Sequence, residues 1–158
     1  MASDRQLYQL ELPGYWMDIG QPKDYLIGQA LYLQFLDEKL DDRLFKGPNI
    51  EGRVWVHPTA KVHETSILGG NVVVGENCVI GPGCKIYNST ILADTRIEGH
   101  SLIQGSIIGW KNKIGRWVRV AGLTVTGEDV ELKDETFLNG IFVLPHKQIT
   151  GVYPTSGQ

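Results

Sequence analysis

Cysteine is scarce, with two in 158 residues, Cys78 and Cys84. They form no CxxC pair and nothing marks the chain as secreted, so neither a disulfide framework nor a zinc site is expected. Charge of one sign is lacking as well. Fifteen Lys and Arg stand against eighteen Asp and Glu, a net of −3 with both signs interspersed. No basic field exists to draw nucleic acid or anionic lipid. No apolar run approaches the ~18 residues that span a bilayer, and Met1-Ala2-Ser3-Asp4-Arg5-Gln6 does not open a secretory signal. A cytoplasmic protein is the expectation, with room for one domain and a small appendage. Glycine, by contrast, is abundant at 19 of 158, against an average near 7%. Turns at that density, without low complexity, point to an all-β or repeat architecture.

Every sixth residue from Ile50 is aliphatic: Ile50, Val56, Val62, Leu68, Val74, Ile80, Ile86 and Leu92. A second series runs Ile108, Ile114, Val120, Thr126, Leu132, Leu138 and Leu144, with Thr126 the exception. Ile, Leu and Val make up 31 of the 100 residues in 50–149. Chance would fill about five of these fifteen slots, and fourteen are filled. Gly69, Gly75, Gly81, Gly109, Gly115 and Gly127 follow the aliphatic directly, which suits a corner needing φ > 0 or no Cβ. Four positions after it come small or β-branched residues such as Ala60, Ser66, Cys78, Cys84, Thr90, Val118 and Thr136, suited to an inside corner.

Segments such as Val74-Gly75-Glu76-Asn77-Cys78-Val79 resemble the hexapeptide repeat family. That resemblance implies a left-handed parallel β-helix, in which three hexads make one triangular coil and equivalent aliphatics stack 18 residues apart. The expected columns are Val56–Val74–Leu92, Ile50–Leu68–Ile86, Ile114–Leu132 and Val120–Leu138, in about five coils over residues 50–149. Such a solenoid is stabilised by each coil burying its apolar interior on its neighbours. Leu92 to Ile108 is 16 residues, not a multiple of six. A coil must therefore lose two residues or gain four, which is expected near Glu98-Gly99-His100.

Residues 1–49 do not obey the period. Residues 22–44 read as an amphipathic helix, with Pro22 in its first turn and Leu26, Ala30, Leu33, Leu36 or Leu40, and Leu44 at 3–4 spacing. Gly47-Pro48 is the expected stop, and the expected role is to cap the open end of the solenoid. The division is then 1–21 as a domain remnant, 22–49 as capping helix and linker, 50–149 as β-helix and 150–158 as flexible tail.

Ahead of the helix, Gly14-Tyr15-Trp16-Met17-Asp18-Ile19-Gly20-Gln21-Pro22-Lys23-Asp24-Tyr25 closely resembles the close of the catalytic domain in eukaryotic GDP-mannose pyrophosphorylases (mannose-1-phosphate guanylyltransferases). The likeness continues through Ile107-Ile108-Gly109-Trp110-Lys111, Ile114-Gly115-Arg116-Trp117-Val118-Arg119, Val125-Thr126-Gly127-Glu128-Asp129-Val130 and Val143-Leu144-Pro145-His146-Lys147. It covers about residues 7–149. Gly151 to Gln158 departs from the short hydrophobic peptide with which the family usually closes.

The resemblance implies a transferase in which a mannose-1-phosphate oxygen attacks the α-phosphate of GTP, with Mg²⁺ as cofactor of the complete enzyme. Asp18 maps onto one family metal ligand, the aspartate of a Trp-x-Asp-x-Gly motif. The partner aspartate and the Gly-rich phosphate loop come from earlier in the family's chains, and no Gly-x-Gly-Thr-Arg-type loop occurs here. A lone Asp18 binds Mg²⁺ negligibly, because that ion needs one or two carboxylates plus substrate phosphates. No catalytic residue and no cofactor are therefore expected of this chain alone, which reads as a truncated or regulatory portion of a longer enzyme. The expected partners are a second copy or a nucleotidyltransferase subunit, met through the β-helix, with neither nucleic acid nor membrane. Arg116, Trp117 and Arg119 are the expected interface, since Trp and Arg are favoured at contact surfaces; Trp55 and Trp110 read as further exposed aromatics.

Two other readings compete. A hexapeptide acyltransferase needs a histidine base between subunits, but His57, His63, His100 and His146 each read as corner or structural residues. A γ-class carbonic anhydrase needs a zinc-binding histidine set, and no His-x4-His spacing appears. A scaffold or regulatory subunit, by contrast, is compatible with the transferase resemblance.

Overall fold

A computed structural model describes residues 10–11 and 13–154; residues 1–9, 12 and 155–158, which include parts of the expected remnant and tail, lie outside the described residues. One helix, α1 (Pro22–Glu38), precedes a run of short strands from Ile50–Val56 to Val152–Tyr153. All the strand ladders are parallel, and they stack into a β-helix with three faces and about six turns, one more than expected.

The inward columns are continuous. On face 1, Ile50, Leu68, Ile86, Ile103, Val120 and Leu138 pair in sequence. On face 2 the column is Val56, Val74, Ile91, Ile108, Thr126 and Val143. On face 3 it is Val62, Ile80, Ile97, Ile114, Leu132 and Ile149. From the second coil to the fifth these side chains are almost wholly removed from water. Three of the four expected columns stand as read, and the fourth holds through Val56–Val74.

Its third member is Ile91, not Leu92, because Ile91 is the partner of Val74. The missing residues are therefore not lost near Glu98-Gly99-His100, which forms an ordinary corner. They are lost singly at the corner between faces 1 and 2, once between Ile86 and Ile91 and once between Ile103 and Ile108. A third loss, between Leu138 and Val143, turns Leu144 out to solvent. The short corners turn on one left-handed residue each, Asn88 (φ 48), Gly105 (φ 57) and Gly140 (φ 66). The full-length corner between Val120 and Thr126 uses two in succession, Gly122 and Leu123. The inside-corner residue shifts with the frame, so Ser89 lies inside and Thr90 faces out.

The glycines after each aliphatic answer to space, not to dihedral freedom. A Cβ on Gly127 would come within 2.7 Å of the Pro145 nitrogen one coil on. The left-handed residue sits two positions later, as Asn77, Asp94, Lys111 and Asp129 show.

Inside corners carry hydroxyls, thiols and one amide that serve the backbone of the next coil. Thr95 Oγ1 donates to the Gly109 carbonyl at 2.8 Å and accepts the Asn112 N–H. Ser101 does the same toward Gly115 and Val118. The Cys78 and Cys84 thiols donate to the carbonyls of Leu92 and Glu98, each at 3.0 Å. The break in the aliphatic series at Thr126 has the same cause. Buried Thr126 accepts the Gly109 N–H at 2.9 Å and donates to Asn112 Oδ1 at 2.6 Å, while Asn112 Nδ2 donates to the carbonyls of Trp110 and Gly127.

The helix is shorter than the leucine spacing suggests. It ends at Glu38 because Leu40 turns left-handed (φ 53), with Asp41 N–H donating to Leu36 O and Leu40 N–H to Asp37 O. That is the double hydrogen bond of a Schellman stop, here built on a non-glycine residue. Leu44 instead bridges antiparallel to Trp55 and joins Leu33 and Leu36 in a second apolar cluster against Trp55 and Val73. Consequently α1 packs on the outside of face 2 and does not lie across the open end of the solenoid. Gln29 fastens it there, donating to the carbonyls of Asn71 and Ser89 and accepting from Thr90 Oγ1.

Asn112→Leu orphans the Gly127 carbonyl and the Thr126 hydroxyl, and should lower the urea-unfolding free energy by about 2–4 kcal/mol. Thr126→Val should cost about 1–2 kcal/mol, and the double variant less than the sum of the two; strict additivity would show that these residues act separately. Leu40 is 82% exposed, so Leu40→Gly should raise stability by about 1 kcal/mol through relief of the left-handed backbone. A lowered melting midpoint would contradict that.

Candidate functional site

Stacked coils place the left-handed corner residues in vertical ladders. Between faces 2 and 3 the ladder is Asn77, Asp94, Lys111, Asp129 and His146, with φ between 55° and 60°. Asn and Asp tolerate this backbone better than most residues. Asn77 Nδ2 donates to Asp94 Oδ1 at 3.1 Å, and His146 Nδ1 lies 3.0 Å from Asp129 Oδ2. Lys111 Nζ reaches sideways to Glu128 at 2.6 Å, a pair that raises the ammonium pKa and lowers that of the carboxyl. The hydrogen bond from Lys133 lowers the Glu131 carboxyl, and hydrogen bonding from Arg43 holds the Asp41 carboxyl at about 2. These groups lie exposed or half-buried at the surface, so the pairs add little to stability.

The ladder between faces 3 and 1 holds Gly83, His100, Trp117 and Glu135. The His100 and Trp117 rings stack with centroids 4.6 Å apart and planes 17° apart. Arg116, Trp117 and Arg119 all lie exposed on this edge, with Trp117 at 63%. The Arg116 N–H donates to Asp134 Oδ1 at 2.8 Å. The Arg119 guanidinium lies 5.3 Å from the centre of the Phe137 ring, its register partner on the next coil. Arg116 and Trp117 belong to the corner and Arg119 opens the strand that follows it.

Asp18 is exposed on the segment before α1. Its neighbours Met17 and Ile19 line a cleft of about 480 Å³ with Tyr15, Tyr25, Tyr32 and Trp55. Among the described residues no group of three or more His, Cys, Asp or Glu side chains is placed to hold a metal ion. Burial pushes the Cys78 and Cys84 thiols up, away from the reactive thiolate.

The histidines are locally engaged. His57 and His63 sit on successive corners and pair through Nδ1 with Thr59 and Thr65, each at 2.9 Å. His146 pairs with Asp129 and His100 stacks on Trp117. Of the three tryptophans read as exposed, Trp110 and Trp117 are so, whereas Trp55 is half-buried under the α1 cluster.

Sequence reasoning missed the outward column of face 2, which is Trp55, Val73, Thr90, Ile107, Val125 and Phe142. Its signal was the apolar residue immediately before each inward one, Thr90 excepted. No helix among the described residues is long and apolar enough to cross a membrane.

The family described as the GMPPB C-terminal domain matches residues 50–157. Over 154 residues the chain is 54% identical to mannose-1-phosphate guanylyltransferase catalytic subunit beta of Drosophila melanogaster, covering 98% of this chain and 42% of that protein. It is likewise 54% identical to mannose-1-phosphate guanyltransferase beta-B of Xenopus laevis, covering 98% and 43%. Identity is 48% over 151 residues to the mannose-1-phosphate guanyltransferase of Candida albicans, covering 95% and 42%. The chain thus spans less than half the length of these curated relatives. Among solved structures, the acetyltransferase domain of PglB from Neisseria gonorrhoeae, in complex with acetyl coenzyme A, is 18% identical with a TM-score of 0.33, covering 78% of this chain and 64% of that one.

Proposed function

This chain belongs to the GMPPB C-terminal domain family, and from that premise we propose that it is the β-helix portion of a mannose-1-phosphate guanylyltransferase, an enzyme making GDP-mannose from GTP and mannose-1-phosphate. The observation that carries the proposal is 54% identity running over 98% of the chain to a protein of that name. The identity extends past the solenoid into α1 and the segment bearing Asp18.

In this reading the chemistry belongs to the part of the relatives that this chain does not span. A nucleotidyl transfer needs a phosphate cradle and a divalent cation to neutralise charge and hold the reacting groups in line. This sequence has no Gly-rich phosphate loop. Asp18 by itself supplies one carboxylate where Mg²⁺ is held by carboxylates together with substrate phosphates, so its donor set does not fit the ion without the rest of an enzyme. No catalytic step is assigned to these residues. The contribution left to the chain is assembly or regulation in the cytosol, which also accommodates a free-standing non-catalytic scaffold.

For that role the patch of Arg116, Trp117 and Arg119 is the proposed contact for a nucleotidyltransferase subunit. Its support is an exposed tryptophan flanked by two arginines on one rigid edge, the residue types that anchor interfaces. The backbone there is hydrogen-bonded to the coils above and below, so the side chains are presented with little ordering cost.

Isothermal titration of the chain with GTP and with GDP-mannose should give no binding heat. Micromolar affinity for either would overturn the assignment of the chemistry elsewhere. Alanine at Arg116, Trp117 and Arg119 together should abolish co-sedimentation with a full-length guanylyltransferase subunit; an unchanged sedimentation coefficient of the mixture would reject that surface.

A further inference from the structure

Glycine inside a helix is normally a cost, because it loses more backbone freedom on folding than any other residue. Gly28 nevertheless sits in the middle of α1 and is buried there, together with Leu33 and Leu36. What buries it is the segment ahead of the helix. A Cβ on Gly28 would lie 3.1 Å from Ile19 Cδ1 and 3.9 Å from Met17 Sδ. Residues 13–20 therefore run back along α1 as a strap, close against backbone that only a missing side chain leaves bare. Farther along, the Tyr15 ring packs on Tyr32 and Phe35, with centroids 6.3 Å and 5.7 Å apart. Among the described residues the strap makes no backbone–backbone hydrogen bond, so side chains alone hold it.

Helix α1 thus offers two neighbouring rows, each at i, i+4, i+7 spacing. Gly28, Tyr32 and Phe35 take the strap. Gln29, Leu33 and Leu36, one residue further round, take face 2 of the solenoid. Within the strap, the alternation of an extended chain sets Tyr15, Met17 and Ile19 against the helix. Trp16, 74% exposed, and Asp18, also exposed, stand between them on the outer side.

We propose that Gly28 and Gln29 are positioning residues for Asp18. Gly28 seats the strap on α1, Gln29 seats α1 on the solenoid, and the Asp18 carboxylate is thereby presented at a place that the solenoid sets. Gln29 suits this task. The apolar contacts of Leu33 and Leu36 are non-directional and leave the helix free to slide. The Gln29 amide donates to the carbonyls of Asn71 and Ser89, on successive coils, at 3.2 Å and 3.3 Å, and accepts from the Thr90 hydroxyl. Sliding α1 in any direction leaves those groups unpaired. A shift of the outer surface of face 2 therefore carries α1, the strap and Asp18 with it.

The bearing of this coupling on catalysis rests on the preceding reading, in which the chain belongs to a complete guanylyltransferase. The coupling itself does not. Nucleotide titration and co-sedimentation test that reading, whereas distances within the isolated chain test this one.

Nitroxide labels on Trp16→Cys and Lys85→Cys report the distance from strap to solenoid in the 158-residue chain, and labels on Gln34→Cys and Lys85→Cys that from helix to solenoid. All three sites are exposed, while Cys78 and Cys84 are buried and escape labelling. Each pair should give one narrow distance in double electron–electron resonance. Gly28→Val should broaden the strap distance about twofold and leave the helix distance unchanged. Gly28→Ala should broaden it less. Adding Ile19→Val removes the Cδ1 methyl that the new Cβ meets, so the pair only moves a methyl from strap to helix and should restore the original width. Gln29→Met should broaden both distances together. The solenoid core is a cluster separate from that of α1, so circular dichroism should show the β-helix intact in every variant. An unchanged strap distance in Gly28→Val, no rescue by Ile19→Val, or a Gln29→Met variant in which only one distance broadens would each overturn the proposal.

Discussion

Every inward aliphatic in this protein finds its apolar neighbours one coil above and one coil below, and the backbone of each coil finds its hydrogen-bond partners in the same two places. Nothing within a single coil is stable alone. A coil burying one aliphatic per face cannot offset the entropy of ordering 17 or 18 residues, and its strands carry unpaired N–H and C=O groups on both edges. Stacking resolves both at once. The parallel register along the three faces is therefore the constraint from which the rest follows.

The corners show how tightly that constraint binds. Three turns per coil must keep the faces aligned, and from the second coil on they use left-handed backbone, mostly on residues other than glycine. The strain falls on Trp117, Leu123 and Glu135 as readily as on Asn77 or Asp129. It persists because the coils on both sides fix the position. Inside the corners, polar atoms that would otherwise be orphaned are shared between coils, as Thr95, Ser101 and Asn112 illustrate. Cys78 and Cys84 belong to the same series, with thiols in place of hydroxyls.

A rigid prism of this kind has three outer surfaces to distribute among uses. Face 3 is charged and solvated. The edge at Trp117 gathers an aromatic stack and two arginines. Face 2 has an uncharged, mostly apolar outward column, and α1 occupies part of it, where Leu33 and Leu36 pack against Trp55 and Val73. The membership of the chain in its family accounts for the solenoid and the Asp18 segment together. Neither the family nor the fold alone says which surface meets which partner.

The six-residue period, the three-sided coil and most of the inward residues were legible in the sequence, because an aliphatic slot repeated fifteen times outweighs any local ambiguity. The same was true of the helix start at Pro22. The frame after Ile86 was not, since Ile91-Leu92, Ile107-Ile108 and Val143-Leu144 present aliphatics in either phase. Pairing with a strand 17 residues away decides between them, and periodicity cannot see that partner. The end of α1 was hidden for a related reason. Leu40 and Leu44 keep helical spacing, yet Leu44 is buried by bridging to Trp55. Sequence thus determined what each coil must contain, because burial acts on residue type. Tertiary structure decided where single residues are skipped at corners, where the helix lies and which face remains apolar, because those depend on contacts between coils that no local pattern records.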